Sequence, residues 1–306
     1  HEITQGTGNG CFSPDAPVTT SQWAVMLCRA YGAETIGDSW QDVGRSSVVE
    51  AYRQGWLNET ALSAPRSPMC RSVLVESAFA AADVPVYDST LYEGGASLST
   101  ADNILRVGRE LGLCSDDADT NALVTRGDAA IILHVVLTQS FRIEEPPVPV
   151  TLVNAAGVNV NDFLLELRKL PEQVLDAFNA AGWTYCIDFD YMGGLSKKLN
   201  MSCIGATNYS RKTIYISEAS ATLHEFGHFL DWMLGFPAEH EQLFRAEAAA
   251  APLRNYAKTN AREYFADCFA YWVKYAENAN AISLLQECAP LMFRYMEEVT
   301  ILQWPD

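Results

Sequence analysis

Long apolar runs, a surplus of basic residues and paired cysteine motifs are all missing from this 306-residue chain. No run approaches the roughly 18 consecutive apolar residues needed to span a bilayer, so no transmembrane segment is expected. Only 21 lysines and arginines stand against 38 aspartates and glutamates, a formal net charge of −17. A nucleic-acid or anionic-lipid partner requires a basic face, and none is visible. No two of the eight cysteines form a CxxC pair, which argues against a structural zinc ribbon. The chain opens on His1 without a charged n-region or an apolar h-region, and reads as a processed or truncated form. Histidine is scarce too, with five in the whole chain. Two of those five carry the most informative signal.

They stand in His224-Glu225-Phe226-Gly227-His228. Residues four apart on a helix lie one turn above each other on the same face. Two imidazoles so placed can hold one Zn²⁺, and Glu225 between them can act on a water as general base. A helix is expected here because Leu223, Phe226, Leu230 and Leu234 recur at three- and four-residue steps. Ser217 or Ser220 can cap its start, and Gly235 with Pro237 supplies the stop. Asp231 projects from the same side, either to orient a ligand imidazole or as an ordinary solvated acid.

A catalytic zinc needs a third protein ligand and an open fourth position. A third histidine six residues after the second is absent, since position 234 is Leu. A second helical stretch, Asn260 to Trp272, opens on an Asn cap and places Glu263 and Asp267 four apart on one face. A Glu ligand with an Asp one turn later is a glutamate-zincin (gluzincin) arrangement; two solvated carboxylates on an amphipathic helix are the alternative. Between the two stretches, Trp183–Asp188 and Lys212–Ser217 read as strands. The 212–217 run is the expected edge for pairing with a substrate backbone, and residues 193–209 read as loop.

Taken together, residues from about Asp162 to Trp272 resemble the peptidase domain of the anthrax lethal factor family, which includes secreted bacterial Pro-Pro endopeptidases. The likeness rests on the HEFGH string with Asp231, and on Tyr256 seven residues before Glu263-Tyr264-Phe265-Ala266-Asp267. Leu170-Pro171 through Leu175, followed by Gly182, fits the helix that precedes the family's small sheet. The resemblance implies His224, His228 and Glu263 as zinc ligands, Glu225 as base and Tyr256 as a donor to the oxyanion. It also implies Asp267 behind a ligand histidine, where many relatives carry Glu, and a protein or peptide substrate.

The first 140 residues follow another pattern. Thr19-Thr20-Ser21-Gln22, Cys70-Arg71-Ser72 and Thr125-Arg126-Gly127-Asp128 each stand at the head of an apolar-periodic helix, at spacings near 50 residues. Thr100–Leu113 and the run from Trp40 to Trp56 fit helices that alternate with them. This region resembles a trio of S-layer homology repeats, whose family attaches bacterial proteins to secondary cell-wall polysaccharide. The resemblance implies an extracellular or wall-attached location, with Arg126 and Arg71 as glycan contacts. A helical scaffold that only positions the second domain is the other reading.

The expected architecture is therefore α+β: helical repeats over 1–140, a Pro-rich linker over 141–152, and a mainly helical peptidase domain with a small sheet over 153–306. The cysteines divide four and four between the halves, which suggests disulfides within each domain, with Cys186–Cys203 and Cys268–Cys288 as the expected pairs. Reduced cysteines behaving as small hydrophobes are the alternative.

Overall fold

Pro146-Pro147 marks the change from one packed unit to the next. In the computed structural model, which describes Ile3, Gly6 and residues 11–301, the first unit runs to Pro146 and the second starts at Pro147. Part of the expected linker belongs to the first unit. Phe141 and Ile143 pack on its core, and the Tyr92 hydroxyl donates to the Glu144 carbonyl at 2.6 Å.

The first unit is built on helices α1 (Thr20–Ala30), α2 (Trp40–Arg53), α3 (Glu59–Ser63), α4 (Arg71–Ala81), α5 (Thr100–Glu110) and α6 (Arg126–Thr138). Short extended segments precede α1, α4 and α6, and these bond to one another in a closed cycle. The Val18 N–H donates to the Val124 carbonyl (2.9 Å), Val124 to Met69 (3.0 Å), and Met69 back to Val18 (3.0 Å). Two residues on, the cycle repeats through Thr20 to Ser67, Arg71 to Ala122 and Arg126 to Ala16. The spacing near 50 residues is thus a structural repetition about one buried centre, with Val18, Met69 and Val124 all buried.

Local caps explain the unequal signatures at the three helix starts. Thr19 forms a capping box with Gln22, and the Thr125 side chain accepts from the Asp128 N–H. Cys70 heads α4 without a side-chain cap, a loss worth about 1 kcal/mol to a helix.

The two arginines of these signatures differ in burial. Arg126 is buried at 4% exposure, donates through Nε to the Phe12 carbonyl (2.9 Å), and lies over the Phe12 ring at 5.0 Å. Arg71 faces Asp128 at 3.8 Å within the same unit. Arg126 is thus held inside the unit by its Nε–H, whereas Arg71 is only partly buried.

The second unit contains β1 (Leu152–Asn154), α7 (Asn161–Leu167), α8 (Glu172–Ala180), β2 (Thr184–Ile187), α9 (Phe189–Leu199), β3 (Gly205–Asn208), β4 (Thr213–Ile216), α10 (Thr222–Met233), α11 (Ala238–Glu247), α12 (Ala261–Lys274), α13 (Ala279–Cys288) and α14 (Pro290–Ile301). The sheet order is β1-β2-β4-β3, parallel except for the last pair. The expected edge is therefore corrected. β4 lies inside, between β2 and β3, and the free edge belongs to β3, in a stretch read from sequence as loop. Four residues with Gly205 and Asn208 at the ends lack the β-branched alternation that marks a strand locally. Pairing with β4 makes it one.

Helix α10 follows a 3-10 turn over Ala219–Ala221, so neither serine caps it. Its apolar side meets an aromatic cluster: Phe178 to Phe226 at 4.7 Å, Phe178 to Phe229 at 5.1 Å, and Trp183 to Phe229 at 5.2 Å. Such ring pairs, tilted or edge-on, add to simple area burial. Every residue from Thr222 to Asp231 is buried, the polar ones included.

Cys186, Cys203, Cys268 and Cys288 are free thiols, which corrects both expected pairs. Cys186 and Cys203 share one small apolar cluster with Tyr215 and Met192. The Cys268 thiol sits inside α12, and burial drives its pKa well up. Burial likewise pushes Cys28 up to about 11, and its thiol donates to the Ser47 carbonyl. Buried Cys28, Cys186 and Cys268 behave as small hydrophobes. Among the described residues no helix is long and apolar enough to cross a membrane.

Candidate metal centre

Two helices supply the centre, and a glycine lets them meet. A Cβ on Gly227 would stand 2.6 Å from the Ala266 Cα and 2.7 Å from its carbonyl oxygen. Only a bare glycine permits that approach of α10 to α12. Glu263, on the first turn of α12, is thereby brought to the histidine face of α10. Asn260 holds the start of that turn, its side chain accepting from the N–H groups of Arg262 and Glu263.

The donor atoms converge. His224 Nε2 lies 3.1 Å from His228 Nε2 and 3.1 Å from Glu263 Oε2, and His228 Nε2 lies 3.3 Å from the same oxygen. Ligands at about 2.0–2.1 Å from a tetrahedral zinc stand roughly 3.3 Å apart. The triangle therefore fits one face of such a site, and these three residues form the metal-competent group among the described residues. The protonation pattern agrees. His224 Nδ1 is held by Asp267 Oδ1 at 2.5 Å, which directs Nε2, the other ring nitrogen, at the centre. Two imidazole nitrogens and a carboxylate pointed at one another need a cation between them, either protons or a metal.

The charges report the same demand. Burial works against a charged His224, but its bonds to Asp267 and Glu263 outweigh this and push it up to about 9. Burial also opposes ionisation of Glu263, yet the two histidines hold its carboxyl far below the usual range. Asp267 is likewise lowered against its burial, by His224 and by Arg254. A metal would displace the protons from this cluster.

Arg254 is the residue that sequence reasoning missed. It donates to both Asp267 oxygens, Nε to Oδ2 at 2.6 Å and Nη2 to Oδ1 at 2.7 Å, and lies 5.4 Å from the Tyr256 ring centre. Its only signal in the sequence is a position two residues before Tyr256. Tyr256 itself sits on a 3-10 turn, Asn255–Lys258, with its ring centre 6.4 Å from that of His224. It is 43% exposed, and both burial and the Glu263 charge raise its phenol pKa, so it carries a proton to donate.

Glu225 points toward the edge strand. Thr207 Oγ1 of β3 donates to Glu225 Oε2 at 2.7 Å, and a Cβ on Gly205 would come within 2.6 Å of Oε1. Asp231 is placed elsewhere than expected. Its carboxylate accepts from His240 Nδ1 at 2.8 Å, and the His240 ring stacks on Phe265 at 4.1 Å. That pair ties α11 to α10 and leaves His228 Nδ1 without a hydrogen-bond partner. His224, Glu225, His228, Tyr256 and Glu263 all line one cavity of about 830 Å³.

An HExxH helix joined by a carboxylate from a second helix is a donor set that can hold a catalytic metal. Residues 167–299 match the model of a family described as "Anthrax toxin lethal factor, N- and C-terminal domain". This stretch reaches from α7 into α14 and contains every residue of the centre. Among solved structures, the chain is similar to the PRO-PRO endopeptidase (PPEP-2) from Paenibacillus alvei, at 17% identity and a TM-score of 0.38, over 48% of this chain and 96% of that one. No curated protein matches the chain.

Proposed function

We propose that the second unit is a zinc-dependent endopeptidase, with His224, His228 and Glu263 as the metal ligands and Glu225 as the general base. The observation that carries this reading is the convergence of three donor atoms within 3.3 Å of one another, beside a buried glutamate. Two imidazoles and one carboxylate suit zinc, which when bound supplies a Lewis acid that activates a water and polarises the scissile carbonyl.

The chain's own groups do the rest. Glu225, oriented by Thr207, takes the proton from the attacking water and passes it to the leaving amine nitrogen. The Tyr256 phenol, kept protonated by burial and by Glu263, donates to the oxyanion as the carbonyl becomes tetrahedral. Asp267, clamped by Arg254, fixes the tautomer and tilt of His224. The free edge of β3 runs beside Glu225, where an extended peptide backbone can add as a further strand.

Metal analysis joined to peptide cleavage tests the reading. We expect about one zinc per chain, and cleavage that is lost on chelation. Glu225→Gln should retain zinc and lower kcat/KM by about 10²–10⁴. Protein that takes up no zinc, or a Glu225→Gln variant as active as the wild type, would overturn it.

A further inference from the structure

Arg262 is left over when the polar groups of the cleft are paired. Four carboxylates line the cavity, and each is engaged. Glu225 accepts from Thr207, Asp231 from His240, Glu241 from Arg245, and Glu263 faces the two metal-ligating imidazoles. The cavity's other arginine, Arg254, forks onto Asp267. Arg262 forms no ion pair among the described residues, in a chain with 38 acidic side chains to offer. Its place in the first turn of α12 is unfavourable for a cation, because the helix dipole favours negative charge there.

Arg262 is exposed at the rim of the cavity, and its guanidinium rests on a ring. Its guanidinium carbon lies 4.2 Å from the centre of the Phe236 ring, and Phe236 meets Tyr209 edge-on at 5.3 Å and 88°. Phe236 adopts φ of +53°, directly after Gly235 at +77°. That left-handed conformation costs a non-glycine residue about 1–2 kcal/mol. The turn after α10 thus accepts strain to set a ring under the arginine. Stacking occupies the flat face of a guanidinium and leaves the in-plane N–H donors at its rim, matched to a carboxylate taken two bonds at a time.

We propose that Arg262 is a specificity-determining residue that reads a carboxylate of the substrate near the scissile bond, supplied by an acidic side chain or by a free chain terminus. This rests on the peptidase reading, since a subsite is defined relative to the bond that is cut. Nothing else in the cavity neutralises this cation, and an apolar peptide would leave it as it is.

The test scans one glutamate through each position of a zinc-cleavable peptide with both ends blocked, against alanine at the same position. A parallel set lacks glutamate and carries a free C-terminus. The zinc-loaded wild type should favour glutamate at one position, or the free terminus, by about tenfold in kcat/KM. The first outcome assigns the side chain as the source, and the second assigns the terminus. Arg262→Glu should abolish that ratio and favour lysine at the same position. A flat scan in the wild type, or an unchanged ratio in Arg262→Glu, overturns the subsite while cleavage itself leaves the peptidase reading standing. Should the wild type cut none of the peptides, the peptidase reading fails, and fluorescence anisotropy of the same peptides decides the subsite. Tighter binding of the carboxylate peptides, lost in Arg262→Glu, supports it; equal binding or none overturns it.

Discussion

The two units differ in whether their buried polar groups converge on one point. In the first, Arg126 gives its Nε–H to Phe12, Trp23 donates to Ser77 at 2.6 Å, and Asn103 donates to the Tyr87 carbonyl at 2.9 Å. Each of these three is closed by a neighbour within the unit. In the second, His224, His228 and Glu263 aim acceptors at a common point, while His228 Nδ1 has no partner among the described residues. Such an arrangement is unfavourable in a finished core and is resolved by a cation. A buried polar residue is therefore a weak sign of function by itself. Convergence without mutual satisfaction is the stronger one. The contrast also operates inside the second unit, where Glu247 closes onto the backbone N–H groups of Leu291 and Met292 and serves the fold alone.

Four variants break or sharpen this contrast, from the largest expected effect to the smallest. Tyr256→Phe would remove the proposed oxyanion donor and should lower kcat by about 10²–10³ with zinc retained, read by steady-state kinetics alongside metal analysis. Gly227→Ala forces α10 away from α12 at Ala266, so we expect about 1–3 kcal/mol of destabilisation. Because that contact aligns the ligands, its zinc content should fall along with its melting temperature. Asp267→Asn leaves a hydrogen-bond acceptor for His224 but removes the charge; zinc affinity measured by competition with a chelator should weaken about 10–100-fold. Arg126→Met, in the first unit, should cost about 1–3 kcal/mol in denaturant unfolding and leave zinc binding unaltered. A change in zinc affinity in that last variant would show the polar networks of the two units to be less separate than drawn.

Legibility in the sequence followed the distance over which each feature is determined. The pairing of His224 with His228 was readable because 3.6 residues per turn alone put them on one face. Glu263 and Asp267 were readable by the same rule on a second helix. The helix starts at Thr19 and Thr125 followed from capping chemistry within three residues. Features set by contact between distant segments were not readable. β3 was taken for loop and β4 for the edge, because strand order is decided by pairing across the chain. Asp231 was expected near a ligand histidine and instead bonds His240, nine residues on, since α11 folds back against α10. Arg254 left almost no trace, because its role depends on a long side chain reaching from a turn to α12.

By itself, then, the sequence determined which residues can bind a metal and on which helical faces they lie, because backbone periodicity and caps are local physics. Only the tertiary structure decided that those faces meet. Gly227 allows two helices into backbone contact, Thr207 of an edge strand orients Glu225, and Arg126 is buried rather than offered to a ligand. Each of these depends on which distant group fills the space beside a side chain, and packing settles that for the whole unit at once.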